Sequence, residues 1–161
     1  MDIEATIEDL EAQAYFASIG SPASSQGSGV VLRVHFNSAE AQISYLSWPL
    51  LGRDFIAGFD AKSVLNKPTW QLIPFSAVQS IEGNVESNAL FASELLESRL
   101  LGSRICIRHI SGGPTSSGIL TAVMGDLLSL QLASSQVIHF PFSSLRILVV
   151  EKLNGSNPNW A

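Results

Sequence analysis

From Val30 onward, apolar and polar positions alternate. Leu32, Val34 and Phe36 fall on one side of an extended chain, Arg33 and His35 on the other. That is the period-two signature of a half-buried strand. Strand-like segments follow at Ile43–Trp48, Phe55–Asp60, Trp70–Ile73 and Val78–Ile81, punctuated by Gly, Pro, Asn and Asp, as short antiparallel strands are. A second series begins at Arg104, where Ile105 and Ile107 alternate inward. It continues through Gly118–Val123, Leu127–Leu132, Gln136–Phe140 and Leu145–Val150. Gly125-Asp126 sits between two of these segments and suits a tight hairpin.

Two stretches break the alternation. In residues 2–17, Ile3, Ile7, Leu10 and Ala14 recur at helical spacing while acidic residues fill the other faces. Acidic residues early in a helix complement its positive end. In residues 87–102, Leu90, Phe91, Leu95 and Leu101 form an apolar stripe. Ser87 or Asn88 is placed to cap that helix and Gly102 to end it. The predicted organisation is an acidic N-terminal helix (1–19), a Ser/Gly/Pro linker (20–29), a first β unit (30–86), a connecting helix (87–102), a second β unit (103–153) and a loose tail (154–161).

The two β units resemble each other. Pro74-Phe75-Ser76 and Pro141-Phe142-Ser143 stand at one offset, which also matches Val78 with Leu145 and Ile81 with Leu148. Gly52-Arg53-Asp54-Phe55-Ile56 parallels Gly125-Asp126-Leu127-Leu128. A proline between two strands withholds one ladder donor and fixes φ, so each Pro-Phe-Ser block predicts a short turn. An internal duplication of a five-stranded unit is the expectation. One such unit buries little core alone, so the two are expected to share one.

Composition narrows the function. Only 14% of the 161 residues are charged, against about 25% in an average domain. A surface that poor in charge suits coverage by another subunit. The net charge of −5 opposes sequence-independent binding to phosphates, with Arg99, Arg104, Arg108 and Arg146 the candidates for a local basic patch. The single cysteine, Cys106, excludes an intramolecular disulfide and multi-cysteine metal sites. Met1-Asp2-Ile3-Glu4 carries neither the basic nor the apolar region of a secretory leader. No apolar run approaches the roughly 18 residues of a membrane span, so a cytoplasmic, non-membrane protein is expected.

Each half resembles an Sm-like small barrel: an alternating strand, a bent strand, a Gly-Asp hairpin and a last tight turn into the closing strand. Asp-Leu-Glu-Ala-Gln at 9–13, Gly-x-Leu-x-x-Val at 118–123 and Gly-Asp-Leu-Leu-x-Leu at 125–130 are similar to a group of uncharacterised actinobacterial proteins labelled as Fis-family transcriptional regulators. The resemblance implies a mainly β fold of two tandem Sm-like five-stranded barrels with an N-terminal and a connecting helix. It brings no RNA-binding residue. The Asn that Sm proteins carry after the hairpin turn is replaced by Leu127-Leu128-Ser129, and Arg146 is followed by Ile147 rather than Gly. No helix-turn-helix pair is present, since the two predicted helices lie far apart and neither is basic.

Candidate chemistry is sparse. Cys106-x-x-His109 lies on a strand, where residues three apart face opposite ways. No Gly-x-Ser-x-Gly or phosphate loop is present. Asp54 and Asp126 fall at corresponding turns, the usual place for a turn-forming Asp. No catalytic residue, cofactor or metal is assigned. The candidate partner-binding residues are Trp48, Leu50 and Leu51, in a Trp-Pro-Leu-Leu stretch awkward to bury, and Ile3, Ile7 and Leu10 on the first helix. The expected function is a non-catalytic interaction or scaffold protein with a protein partner or itself. The alternative is a nucleic-acid-binding regulator of transcription or RNA. Because the linker separates residues 1–17 from the β units, deleting them is expected to leave a single cooperative unfolding transition, checked by urea denaturation.

Overall fold

The computed structural model describes residues 31–37, 42–60, 69–110 and 115–153. The expected N-terminal helix with Ile3, Ile7 and Leu10, the linker and the tail lie outside the described residues. The fold is mainly β. The strands are β1 (Val31–Phe36), β2 (Ile43–Leu51), β3 (Phe55–Asp60), β4 (Trp70–Pro74), β5 (Val78–Glu82), β6 (Arg104–His109), β7 (Ser116–Met124), β8 (Leu127–Gln131), β9 (Val137–Pro141) and β10 (Leu145–Lys152). All pair antiparallel in one sheet, ordered β5-β1-β2-β3-β4-β10-β6-β7-β8-β9.

That order is one permutation written twice. In each half the fifth strand returns to the outer side of the first. The hydrogen bonds that enforce this correspond. Phe75 N–H donates to the Asp54 carbonyl at 2.9 Å, and Phe142 N–H to the Asp126 carbonyl at 2.6 Å. Asn37 N–H donates to Ala77 O at 2.9 Å, and Ile110 N–H to Ser144 O at 3.0 Å. Pro74 lies opposite Phe55, and Pro141 opposite Leu127. Each proline ends its strand and leads into a three-residue 3₁₀ turn, Phe75–Ala77 or Phe142–Ser144. The two prolines therefore occupy matching surroundings.

Bends occur at corresponding places. A bulge interrupts the β2–β3 ladder between Ser47 and Leu50, and another the β7–β8 ladder between Leu120 and Ala122. A bulge adds one residue to one strand and increases its local twist. Gly118 lets β7 approach its neighbour closely: a Cβ there would stand 2.6 Å from the Gln131 carbonyl oxygen. Gly125 takes φ +59° in the Gly125-Asp126 hairpin, a conformation that glycine adopts without steric cost.

The halves meet where β4 pairs β10, with Trp70, Gln71 and Leu72 opposite Val150, Val149 and Leu148. The larger core cluster spans that seam, joining Phe55, Leu72 and Phe59 to Leu128, Leu130 and Leu148. The smaller one gathers Leu32, Val34, Leu46, Ile56 and Ile73, with Ile147 reaching in from β10.

The connecting helix is shorter than the sequence pattern predicts. Helix α1 is α-helical over Ala92–Leu95 and widens to π geometry over Leu96–Leu100. Ser87 instead bridges Leu51, and Asn88 N–H donates to the Leu51 carbonyl at 2.7 Å. These contacts tie Ser87 and Asn88 to β2, and the helix starts only after Phe91, so neither Ser87 nor Asn88 caps it. Leu95, Leu96 and Leu100 are fully buried in the larger cluster, which anchors this short helix by packing rather than by propensity. Because the clusters cross the seam, Leu148→Ala should cost about 2–5 kcal/mol while the chain still unfolds in one step. Urea denaturation followed by fluorescence and by circular dichroism checks both points.

Candidate functional site

The two Pro-Phe-Ser turns lie side by side at the seam. Ser76 Oγ donates to the Ser143 carbonyl at 3.3 Å. Beneath them is an open cleft of about 280 Å³, lined by Arg53, Asp54, Phe75, Asp126, Phe142 and the two serines. The fold brings together the two turn aspartates that the sequence matched.

Their roles differ. Asp54 Oδ1 accepts the Ala92 N–H at 2.8 Å and so caps α1 from a distant turn. Glu94 Oε1 accepts the Phe91 N–H at 3.3 Å, satisfying another N-terminal donor of the same helix. Asp126 is exposed. Arg53 holds its guanidinium 5.3 Å from the Phe91 ring centroid, a cation–π contact. The cleft thus offers two phenylalanine rings, two serine hydroxyls and more carboxylate than guanidinium. It is shallow and suits a small apolar or amide group better than a phosphate.

The residues of the Trp-Pro-Leu-Leu stretch separate. Trp48 is 39% exposed and takes φ +51° at the β2 bulge. Leu50 is 2% exposed and belongs to the larger core cluster, while half-buried Leu51 packs on the smaller one. Only Trp48 is presented outward. Of the basic candidates, Arg104 lies 3.7 Å from Glu151, and Arg146 packs over the Phe36 ring at 4.7 Å, across the two halves.

Cys106 is half-buried in β6, and the His109 ring sits 5.2 Å from that of Phe140. Among the described residues, no three His, Cys, Asp or Glu side chains are grouped to hold a metal. One pair escaped the sequence reading: Ser129 Oγ lies 2.7 Å from His139 Nδ1. These residues face each other across β8 and β9, a relation visible only once the register is known. Ser129 is 2% exposed, so its hydroxyl satisfies the imidazole rather than facing a substrate.

The ends of the sheet form the other candidate surface. Among the described residues, no strand pairs the outer side of β5 or of β9. The corresponding strands at the seam show what an occupied edge looks like. Every residue of β4 is buried, Trp70 to 3% exposure, whereas Val137 at the matching position of β9 is 46% exposed and Ile138 half-buried. On β5, Val78 and Ile81 are half-buried and, with Phe75, Gln79 and Ser80, line a groove of about 260 Å³ along the edge. Glu82 closes that edge, 3.9 Å from Arg33 and 3.4 Å from His35.

No protein-family model matches the chain, and no curated protein matches its sequence. Among the described residues, no helix is long and apolar enough to cross a membrane. The unequal roles of the two aspartates give a direct test. Asp54→Ala should cost about 1–2 kcal/mol through the lost cap, whereas Asp126→Ala should stay within about 0.5 kcal/mol, as exposed substitutions do. Chemical denaturation of the two variants side by side checks the difference.

Proposed function

We propose that the chain is a non-catalytic protein-interaction or scaffold protein, formed by duplication of an Sm-like small-barrel unit, that binds other polypeptide through its sheet edges. The observation that carries this reading is the contrast between the buried seam strand β4 and its half-exposed counterpart β9. An unpaired edge offers backbone donors and acceptors to another strand, and edge pairing is a general mode of polypeptide recognition. Exposed Trp48 adds an amphipathic anchor of the kind enriched at interfaces. The non-catalytic reading is supported by how two of the polar groups are used. Asp54 is engaged as a helix cap, and Ser129 is buried against His139.

Nucleic-acid binding is the contrasting reading. The cleft at the seam has exposed aromatic edges, but its carboxylates would oppose a phosphate backbone. Fluorescence anisotropy with labelled single-stranded RNA and with duplex DNA separates the two. The expected result is no saturable binding at physiological salt. Affinity that falls by about 10³-fold or more between roughly 50 and 200 mM salt, the response of a complex with several phosphate contacts, would overturn the interaction reading.

A further inference from the structure

We infer that the cleft between the two Pro-Phe-Ser turns takes the guanidinium of an arginine side chain presented by a partner polypeptide. The inference rests on the interaction reading above and gives that partner a chemistry.

Both halves of the chain build the cleft. Phe75 and Ser76 come from the first turn and Phe142 and Ser143 from the second, with Arg53, Asp54 and Asp126 from the hairpin turns beside them. The Ser76 hydroxyl joins the turns through the Ser143 carbonyl. Each turn is also tied to its own hairpin, Phe75 N–H to the Asp54 carbonyl and Phe142 N–H to the Asp126 carbonyl. The walls are therefore held in place without a ligand. At about 280 Å³ the space falls just below the roughly 300–1,000 Å³ of pockets that enclose a drug-sized molecule, and it suits a single side chain.

Two features select that side chain. The first is the rings. Phe75 is 36% exposed and Phe142 half-buried. An aromatic face attracts a cation, and a planar guanidinium can stack on it as well. The molecule makes this contact elsewhere, with Arg53 over Phe91 at 5.3 Å and Arg146 over Phe36 at 4.7 Å. Among the described residues, neither Phe75 nor Phe142 has a cation over its ring. The second feature is unspent negative charge. The guanidinium of Arg53 is placed over Phe91, and Asp54 gives one oxygen to the Ala92 N–H. The carboxylate of Asp126 is exposed and has no ion pair or side-chain hydrogen bond among the described residues. A group that sets N–H donors against Asp126 and its plane against a ring satisfies both features. Lysine would reach the carboxylate only as a point charge with no plane to stack, and a phosphate would meet two carboxylates.

The surroundings of the cleft give the source of the arginine. Phe75 lines two hollows at once, the cleft and the groove along the β5 edge that Val78 and Ile81 continue. A polypeptide lying in that groove passes the mouth of the cleft. The long apolar stem of an arginine lets its head enter while its backbone stays at the edge.

Nitrogen–proton correlation NMR on the full chain tests this. The probe is the blocked pentapeptide acetyl-Gly-Ser-Arg-Ser-Gly-amide, beside the same peptide with uncharged citrulline in place of arginine. The arginine peptide is expected to shift the amides of Phe75, Ser76, Asp126, Phe142 and Ser143 saturably. The citrulline peptide should bind about tenfold or more weakly, since it loses both the ion pair and the cation–π contact. Asp126→Asn, at an exposed position, should weaken the arginine peptide about fivefold, and Phe75→Leu about threefold. Unchanged amide positions away from the cleft show that each variant is folded. Absence of saturable shifts at these amides, equal affinity for the citrulline peptide, or unchanged affinity in Asp126→Asn would overturn the inference. So would single-stranded RNA shifting the same amides. Free arginine carries an α-carboxylate that Asp54 and Asp126 repel, so it should bind more weakly than the blocked peptide. Equal or tighter binding of the free amino acid would assign the cleft to a small molecule and overturn the polypeptide partner. Failure of the peptide alone leaves the interaction reading standing, whereas salt-sensitive RNA binding removes that reading whatever the peptide does.

Discussion

The fold depends on a three-residue strand pairing. Trp70, Gln71 and Leu72 face Val150, Val149 and Leu148, and this ladder turns two five-stranded halves into one ten-stranded sheet. A five-stranded unit alone has too little interior to be stable by a comfortable margin. Pairing at the seam satisfies the backbone groups of two edges at once and buries Trp70, Leu72 and Leu148 in a cluster that both halves line. Helix α1 packs its leucines into that cluster, so the connection between halves is also part of the core.

The same constraint explains how the halves differ. Apart from Gln71, positions at the seam are apolar and largely covered: Trp70 and Leu72 on β4, Leu148, Val149 and Val150 on β10. Their counterparts at the ends of the sheet are Val137, His139, Glu82 and Gly83. Glu82 is flanked by Arg33 and His35, and His139 by Ser129. Charged and polar side chains of this kind on an edge strand discourage indiscriminate strand addition. The turns diverge likewise. Asp54 faces α1 and caps it, whereas Asp126 is exposed.

Much of this was legible in the sequence. The alternation of Leu32, Val34 and Phe36 gave β1 its buried face, and Gly125-Asp126 and the two Pro-Phe-Ser blocks marked turns that exist where they were expected. Such signals are local, since each depends on side-chain alternation or on the φ preference of one residue. What the sequence hid was non-local. The polar stretch from Ser87 reads as a helix start, yet its backbone bonds go to Leu51. The Trp-Pro-Leu-Leu stretch looks uniformly hard to bury, but a bulge turns Trp48 outward and Leu50 inward. Neither the Ser129–His139 pair nor the joining of β4 to β10 has any local signature, because both depend on which strands lie next to each other.

Open edges and a closed seam are therefore two outcomes of one geometry. Within each unit the fourth and fifth strands do not pair with each other; the strand order places them at opposite ends of a five-stranded sheet. Joining two units satisfies one of each and moves the unmatched pair further apart. The outer edges carry polar substitutions. They replace leucine and valine by residues that hydrogen-bond or carry charge, which lowers the gain from burial and raises the cost of a misaligned partner. Within the chain, covalent connection helps to hold the paired strands β4 and β10 in register.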